Sequence, residues 1–153
     1  MKTRHSLLWN LSSLGALLVA AWPLRADVKV NEGNGVNITM ENDAMKLNIA
    51  VEGGGRISSL VDKKSGQDIV TLWKSPNEDG GLLDDRNVFT AMNYRAAVVR
   101  PGGEEGVVRL TAEHPNGMTM TKILTLREGT STLEVNETFS NGTQKEARFM
   151  LRS

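Results

Sequence analysis

The residues best suited to directional hydrogen bonding with a polar ligand fall in one weakly patterned stretch and at its margins. Asp84, Asp85, Arg86 and Asn87 follow Gly80-Gly81 inside the irregular segment 74–93. Carboxylates and a guanidinium make directional, charge-assisted hydrogen bonds, which is the chemistry that hydroxyl groups accept and donate. Trp73 and Tyr94 flank the segment. An aromatic face can stack on the apolar face of a pyranose, and both residues are equally suited to a core. A long irregular segment inside a compact domain is often functional, although this composition also suits a solvated loop. Asp84 and Asp85 are neighbours in sequence, so on a strand they would point to opposite faces and make a poor acid/base pair.

Other chemistry is sparse. The chain has two histidines and no cysteine. General-base work by His114 would need a partner, and a metal site would need further ligands. His114 opens the turn His114-Pro115-Asn116-Gly117 and reads as an exposed turn residue. The lack of cysteine excludes disulfides and thiolate metal sites. Gly53-Gly54-Gly55 permits close backbone approach or a chain reversal. It is not a phosphate loop, because no Gly-Lys-Ser/Thr ending follows it. No metal, no cofactor and no catalytic residue is therefore assigned.

The elements that must position these groups read as strands. In 118–141, apolar residues recur at every second position: Met118, Met120, Leu124, Leu126, then Leu133, Val135 and Phe139. A period of two on both sides of Gly129 predicts a β-hairpin with one buried face. If Gly129-Thr130 is its two-residue loop, Leu126 opposes Leu133, Leu124 opposes Val135 and Met120 opposes Phe139. The same register sets Lys122 opposite Glu137. The two charges then form a cross-strand ion pair or polar members of a sugar pocket. The commoner arrangement lies near an edge, with the lysine stem over apolar surface and its head near water.

A second hairpin is predicted from Val36, Ile38 and Met40, and from Met45, Leu47, Ile49 and Val51, around an Asn42-Asp43 turn. Residues 28–36 read as a short lead-in. Further strands are expected over 56–62, 67–73, 94–100 and 108–112, with turns at 63–66 and 101–106. Ala147, Phe149 and Leu151 begin one more. No segment after residue 26 has helical period, and the strand spacing predicts an all-β, antiparallel β-sandwich.

Residues 1–26 read as a cleaved secretory signal: a basic start at Lys2 and Arg4, an apolar run through Ala21, and a small residue, Ala26, at the cleavage point. Removing Lys2, Arg4 and Arg25 from a formal charge of zero leaves −3 on residues 27–153. The expected product is exported, periplasmic or secreted. It has no basic surface for nucleic acid and no second apolar run for a membrane span.

Three stretches together resemble the galactose mutarotase-like superfamily, the large β-sandwich of aldose 1-epimerases and related carbohydrate-active domains. One is Gly53-Gly54-Gly55-Arg56-Ile57-Ser58-Ser59-Leu60-Val61-Asp62-Lys63-Lys64-Ser65-Gly66. Another is 120–139, similar to the strand pair that precedes that family's active-site strand. The third is Asn141-Gly142-Thr143 leading to Ala147. The resemblance spans about residues 36–153. It implies a supersandwich fold of which this chain holds the N-terminal portion, an incomplete sandwich. It implies a carbohydrate ligand, mono- or oligosaccharide, and places Arg86-Asn87 where the family has active-site arginines. The family's histidine acid and glutamate base have no counterpart in 147–153. The implied role is carbohydrate binding without catalysis. The alternatives are an aldose 1-epimerase whose catalytic residues lie beyond Ser153, and a structural envelope sandwich.

Overall fold

The computed structural model describes residues 27–70 and 88–146. Nine strands are present: β1 (Val28–Glu32), β2 (Asn37–Glu41), β3 (Met45–Ala50), β4 (Arg56–Asp62), β5 (Gln67–Asp68), β6 (Arg95–Gly103), β7 (Glu105–Glu113), β8 (Met118–Arg127) and β9 (Leu133–Asn141). They form one antiparallel sheet in the order β5-β4-β3-β2-β1-β6-β7-β8-β9, curled into a half-barrel. The all-β antiparallel class follows from period-two patterning. The two halves of this single sheet face each other, and the apolar residues meet in between.

The alternation decides which face is inside. Ile38, Met40, Leu47, Ile49, Val108, Leu110, Met120, Leu124 and Leu126 are all at most 2% exposed. Their polar neighbours turn outward, where Thr39 Oγ1 donates to Asn48 Oδ1 at 2.9 Å. The halves touch at named points. The space at Gly106 on β7 is bounded by the side chains of Val28, Val30 and Met40. At one end Asn42, 2% exposed, joins two turns. Its Oδ1 accepts from the Ala44 and Met45 amides, and its Nδ2 donates to the carbonyls of Arg127 and Thr130 at 2.7 and 2.8 Å. Every donor and acceptor of a buried amide side chain is thus used.

The β8–β9 register is the expected one, with Leu126 opposite Leu133, Lys122 opposite Glu137 and Met120 opposite Phe139. The connection, however, runs over 128–132 rather than the two residues Gly129-Thr130, because the Glu128 amide turns to Glu104 O. The 114–117 turn also forms, closed by Gly117 N–H donating to His114 O at 2.9 Å. Four other expectations are corrected. The β2–β3 turn is centred one residue later than Asn42-Asp43, because the Asn42 amide pairs with Met45 O at 3.0 Å. Residues 101–103 are strand rather than turn: Pro101 pairs with Gly106 across a register shift between Val98 and Arg100. A shift of that kind tolerates a proline in a ladder.

Residues 28–32 are not a lead-in but the strand that joins the two halves, paired to β2 on one side and to Gly102 and Gly103 of β6 on the other. The fourth correction concerns 67–73, where β5 stops at Asp68. The Asp68 carboxylate takes over from the ladder, accepting from Ser59 Oγ at 2.7 Å and from the Leu60 and Val70 amides at 3.0 Å. The strand expected from Ala147, and residues 71–73, lie outside the described residues.

Candidate functional site

Tyr94 is the member of the proposed sugar-binding set that the structure describes; Trp73, Asp84, Asp85, Arg86 and Asn87 lie outside the described residues. Tyr94 immediately precedes β6 and is 4% exposed. Its hydroxyl donates to Met120 Sδ at 3.0 Å, and its amide donates to Val51 O at 3.0 Å. The ring lies in the core, with the Lys122 ammonium 5.6 Å from its centroid.

A cleft of about 400 Å³ opens beside Tyr94, lined by Glu32, Gly35, Ile38, Val51, Tyr94, Arg95 and Ala96. Ile38, Val51 and Tyr94 give it an apolar floor. Glu32 and Arg95 are exposed and stand on its rim. The Arg95 guanidinium also pairs with Glu113 on the neighbouring strand. An apolar floor with a few charged groups at its edge can hold a small polar ligand that has one apolar face.

Two loops meet on the chain just before Tyr94. The 88–94 segment runs over Gly53-Gly54-Gly55, where Gly54 N–H donates to Met92 O at 2.9 Å and Gly53 N–H donates to Asn93 Oδ1 at 3.3 Å. A Cβ on Gly54 would stand 2.6 Å from Thr90 O, and its φ of +105° is one that side-chain-bearing residues rarely adopt. The close approach expected of the three glycines therefore has a specific partner, the stem of the irregular segment. Phe89, 1% exposed, anchors that stem against His114 at 6.0 Å and Phe139 at 6.1 Å between ring centroids.

Arg56 was not among the residues picked out by pattern. It starts β4 directly after the glycines, and its NH1 donates to Gly53 O at 3.3 Å. Its Nε is buried and has no hydrogen-bond partner. The available signal was a cation placed directly after three glycines.

Lys122 departs from the edge arrangement expected of it. It is 1% exposed, and its Nζ lies 3.5 Å from Glu137 Oε1, on a side chain 22% exposed. The head is buried because Leu110 on β7 flanks it on one side and Glu137 on β9 on the other. His114 Nδ1 accepts from the Asn116 amide at 3.2 Å and its ring meets Phe89, so it is committed to its turn.

A larger cleft, about 750 Å³, opens among the turns that follow β6 and β8. Its charged groups engage one another: Glu105 takes Arg100 on one oxygen and Arg127 on the other, and Arg127 reaches on to Glu134 at 2.8 Å. With both of its arginines already engaged by carboxylates and no apolar side chain other than the Thr130 methyl in its lining, it is the poorer ligand site despite its size.

Among the described residues no group of three or more His, Asp or Glu is placed to hold a metal ion. No helix among them is long and apolar enough to cross a membrane. No family model matches the chain, and no curated protein matches it.

Proposed function

We propose that the chain is an exported carbohydrate-binding domain of the galactose mutarotase-like type, and that it binds a mono- or oligosaccharide rather than transforming it. The observation that carries this reading is the cleft at Tyr94. Its volume falls within the roughly 300–1,000 Å³ of small-molecule sites. The small parts of Ile38, Val51 and Tyr94 that reach it are apolar and suit the C–H groups of a sugar, and the exposed Glu32 and Arg95 on the rim suit its hydroxyls. The segment with Asp84, Asp85, Arg86 and Asn87 joins the chain at Val88, just ahead of the stem that ends at Tyr94.

A glycan array followed by calorimetry on the whole chain tests the reading. Binding of a defined saccharide is expected, with Glu32→Ala weakening it several-fold and leaving the melting temperature in place. No binding to any mono- or oligosaccharide overturns it.

A further inference from the structure

The glycine loop gathers two groups with donors to spare. Arg56 is half-buried, with NH1 on Gly53 O at 3.3 Å and a buried Nε that has no hydrogen-bond partner. Among the described residues no carboxylate pairs with its guanidinium. A guanidinium has five N–H donors and no acceptor. A half-buried cation with unused donors is costly, and such groups in folded proteins ordinarily meet an acceptor. Asn93 reaches the same glycine from the other loop. Its Oδ1 accepts the Gly53 amide at 3.3 Å, which turns both Nδ2 hydrogens to other use on an exposed side chain.

The placement is tied to the Tyr94 cleft. Asn93 adjoins Tyr94 in sequence, and Gly53 lies two residues beyond Val51, the residue that accepts the Tyr94 amide. Arg56 is held on the rigid start of β4, and the Gly54 contact with Met92 fixes the stem that carries Asn93. Two donor groups, one of them charged, therefore meet at Gly53, outside the cleft's lining and close in sequence to Val51 and Tyr94 within it.

We propose that Arg56, with Asn93 beside it, is the anion-recognition point of the saccharide site and takes a carboxylate or sulfate substituent of an acidic saccharide. The inference rests on the saccharide reading above and narrows its ligand class. A neutral sugar would satisfy single hydrogen bonds and leave the guanidinium charge uncompensated. A carboxylate or sulfate is an acceptor with two or more oxygens, and the planar fork of arginine meets it bidentately in a way that lysine does not reproduce.

The test is calorimetric titration of the whole chain with three oligosaccharides of one length: uronate-bearing, sulfated and neutral. One of the two acidic ligands should bind more tightly than the neutral one, and which of them does identifies the substituent. Arg56→Gln should weaken that ligand by about tenfold or more and the neutral one far less, since a charge-assisted bond contributes about 1.5–3 kcal/mol and a neutral one about 1 kcal/mol. Arg56→Lys should restore little of the loss. Asn93→Ala, at an exposed position, gives a smaller loss in the same direction and holds the test open should Arg56→Gln fail to fold. Equal affinity for acidic and neutral ligands, or unaltered acidic binding in both variants, overturns the inference and leaves the saccharide reading standing. Failure of all three ligands, with none bound on the array, overturns both.

Discussion

At the residue scale the most informative side chain is Lys122, because its burial and that of its partner differ. The ammonium is 1% exposed, whereas the Glu137 side chain keeps 22% of its surface in water. Removing one partner of a buried ion pair leaves an uncompensated charge and costs about 3–5 kcal/mol, while replacing a buried charge by an apolar side chain of similar volume is often neutral or better. The two single variants should therefore differ. Glu137→Gln leaves a buried ammonium facing a neutral amide and should lower stability by about 3 kcal/mol. Lys122→Met leaves a carboxylate that still reaches water and should cost less than half of that. Urea midpoints of the two proteins check the order, and a larger loss for Lys122→Met would sink the account. The pair was legible in advance as a register position, because the apolar alternation breaks at the same level on both strands. Its depth was not. Burial depends on Leu110 across the β7–β8 ladder and on the Tyr94 ring, and neither is near Lys122 in sequence.

At the element scale the fold depends on how β1 bridges the two halves. It shares four residue pairs with β2 and two with β6, Val28 with Gly103 and Lys29 with Gly102. The narrow side of the bridge requires glycine. A Cβ on Gly102 would lie 2.0 Å from Val28 O, at a φ of +147° that other residues rarely adopt. Gly102→Ala must then push β1 off β6. Amide hydrogen exchange should show lost protection in β1 and the adjoining end of β6, with β7, β8 and the inner part of β9 retained. Uniform protection across all strands would show that the bridge tolerates the methyl group. The hairpins of β2–β3 and β7–β9 were legible because each carries its own periodicity and its own turn residues. The bridge was not. Val28 and Val30 are too few to establish a period, and their partner on β6 lies about seventy residues away, in a Pro-Gly-Gly run that looks like a turn by composition. The stem of the candidate site was half legible: three glycines announced a close approach, and only the fold says that Thr90 and Met92 make it.

At the scale of the whole molecule, acid should unfold this protein through carboxylates spread over both halves of the sheet. The hydrogen bond from Lys63, 2.7 Å away, holds the Glu41 carboxyl below its ordinary value, with Lys46 adding to it. Asp62 is lowered first by the Ser65 hydroxyl and then by the Lys64 amide, inside the turn before β5. Glu134 is lowered first by Arg127 and then by Asn136. A carboxyl with a lower pKa folded than unfolded binds fewer protons in the folded state, so its contribution is complete above the unfolded value and is lost as pH falls through the folded one. Stability should be level near neutrality and decline once pH passes below the ordinary carboxylate value of 4.5 that applies to Glu41 and Glu134. The causes differ in their response to salt. Ion pairs of exposed side chains, such as Arg127 with Glu134, are screened. Hydrogen bonds from a neutral hydroxyl and a backbone amide, such as those on Asp62, are screened far less. Denaturation midpoints measured from neutral pH down to about pH 3, at low and at high salt, should show a decline that salt reduces without abolishing. Stability that stays flat or rises toward acid would mean that these contacts are made equally in the unfolded chain. A decline that salt removes completely would assign the effect to the ion pairs alone and leave the Asp62 turn without a part in it.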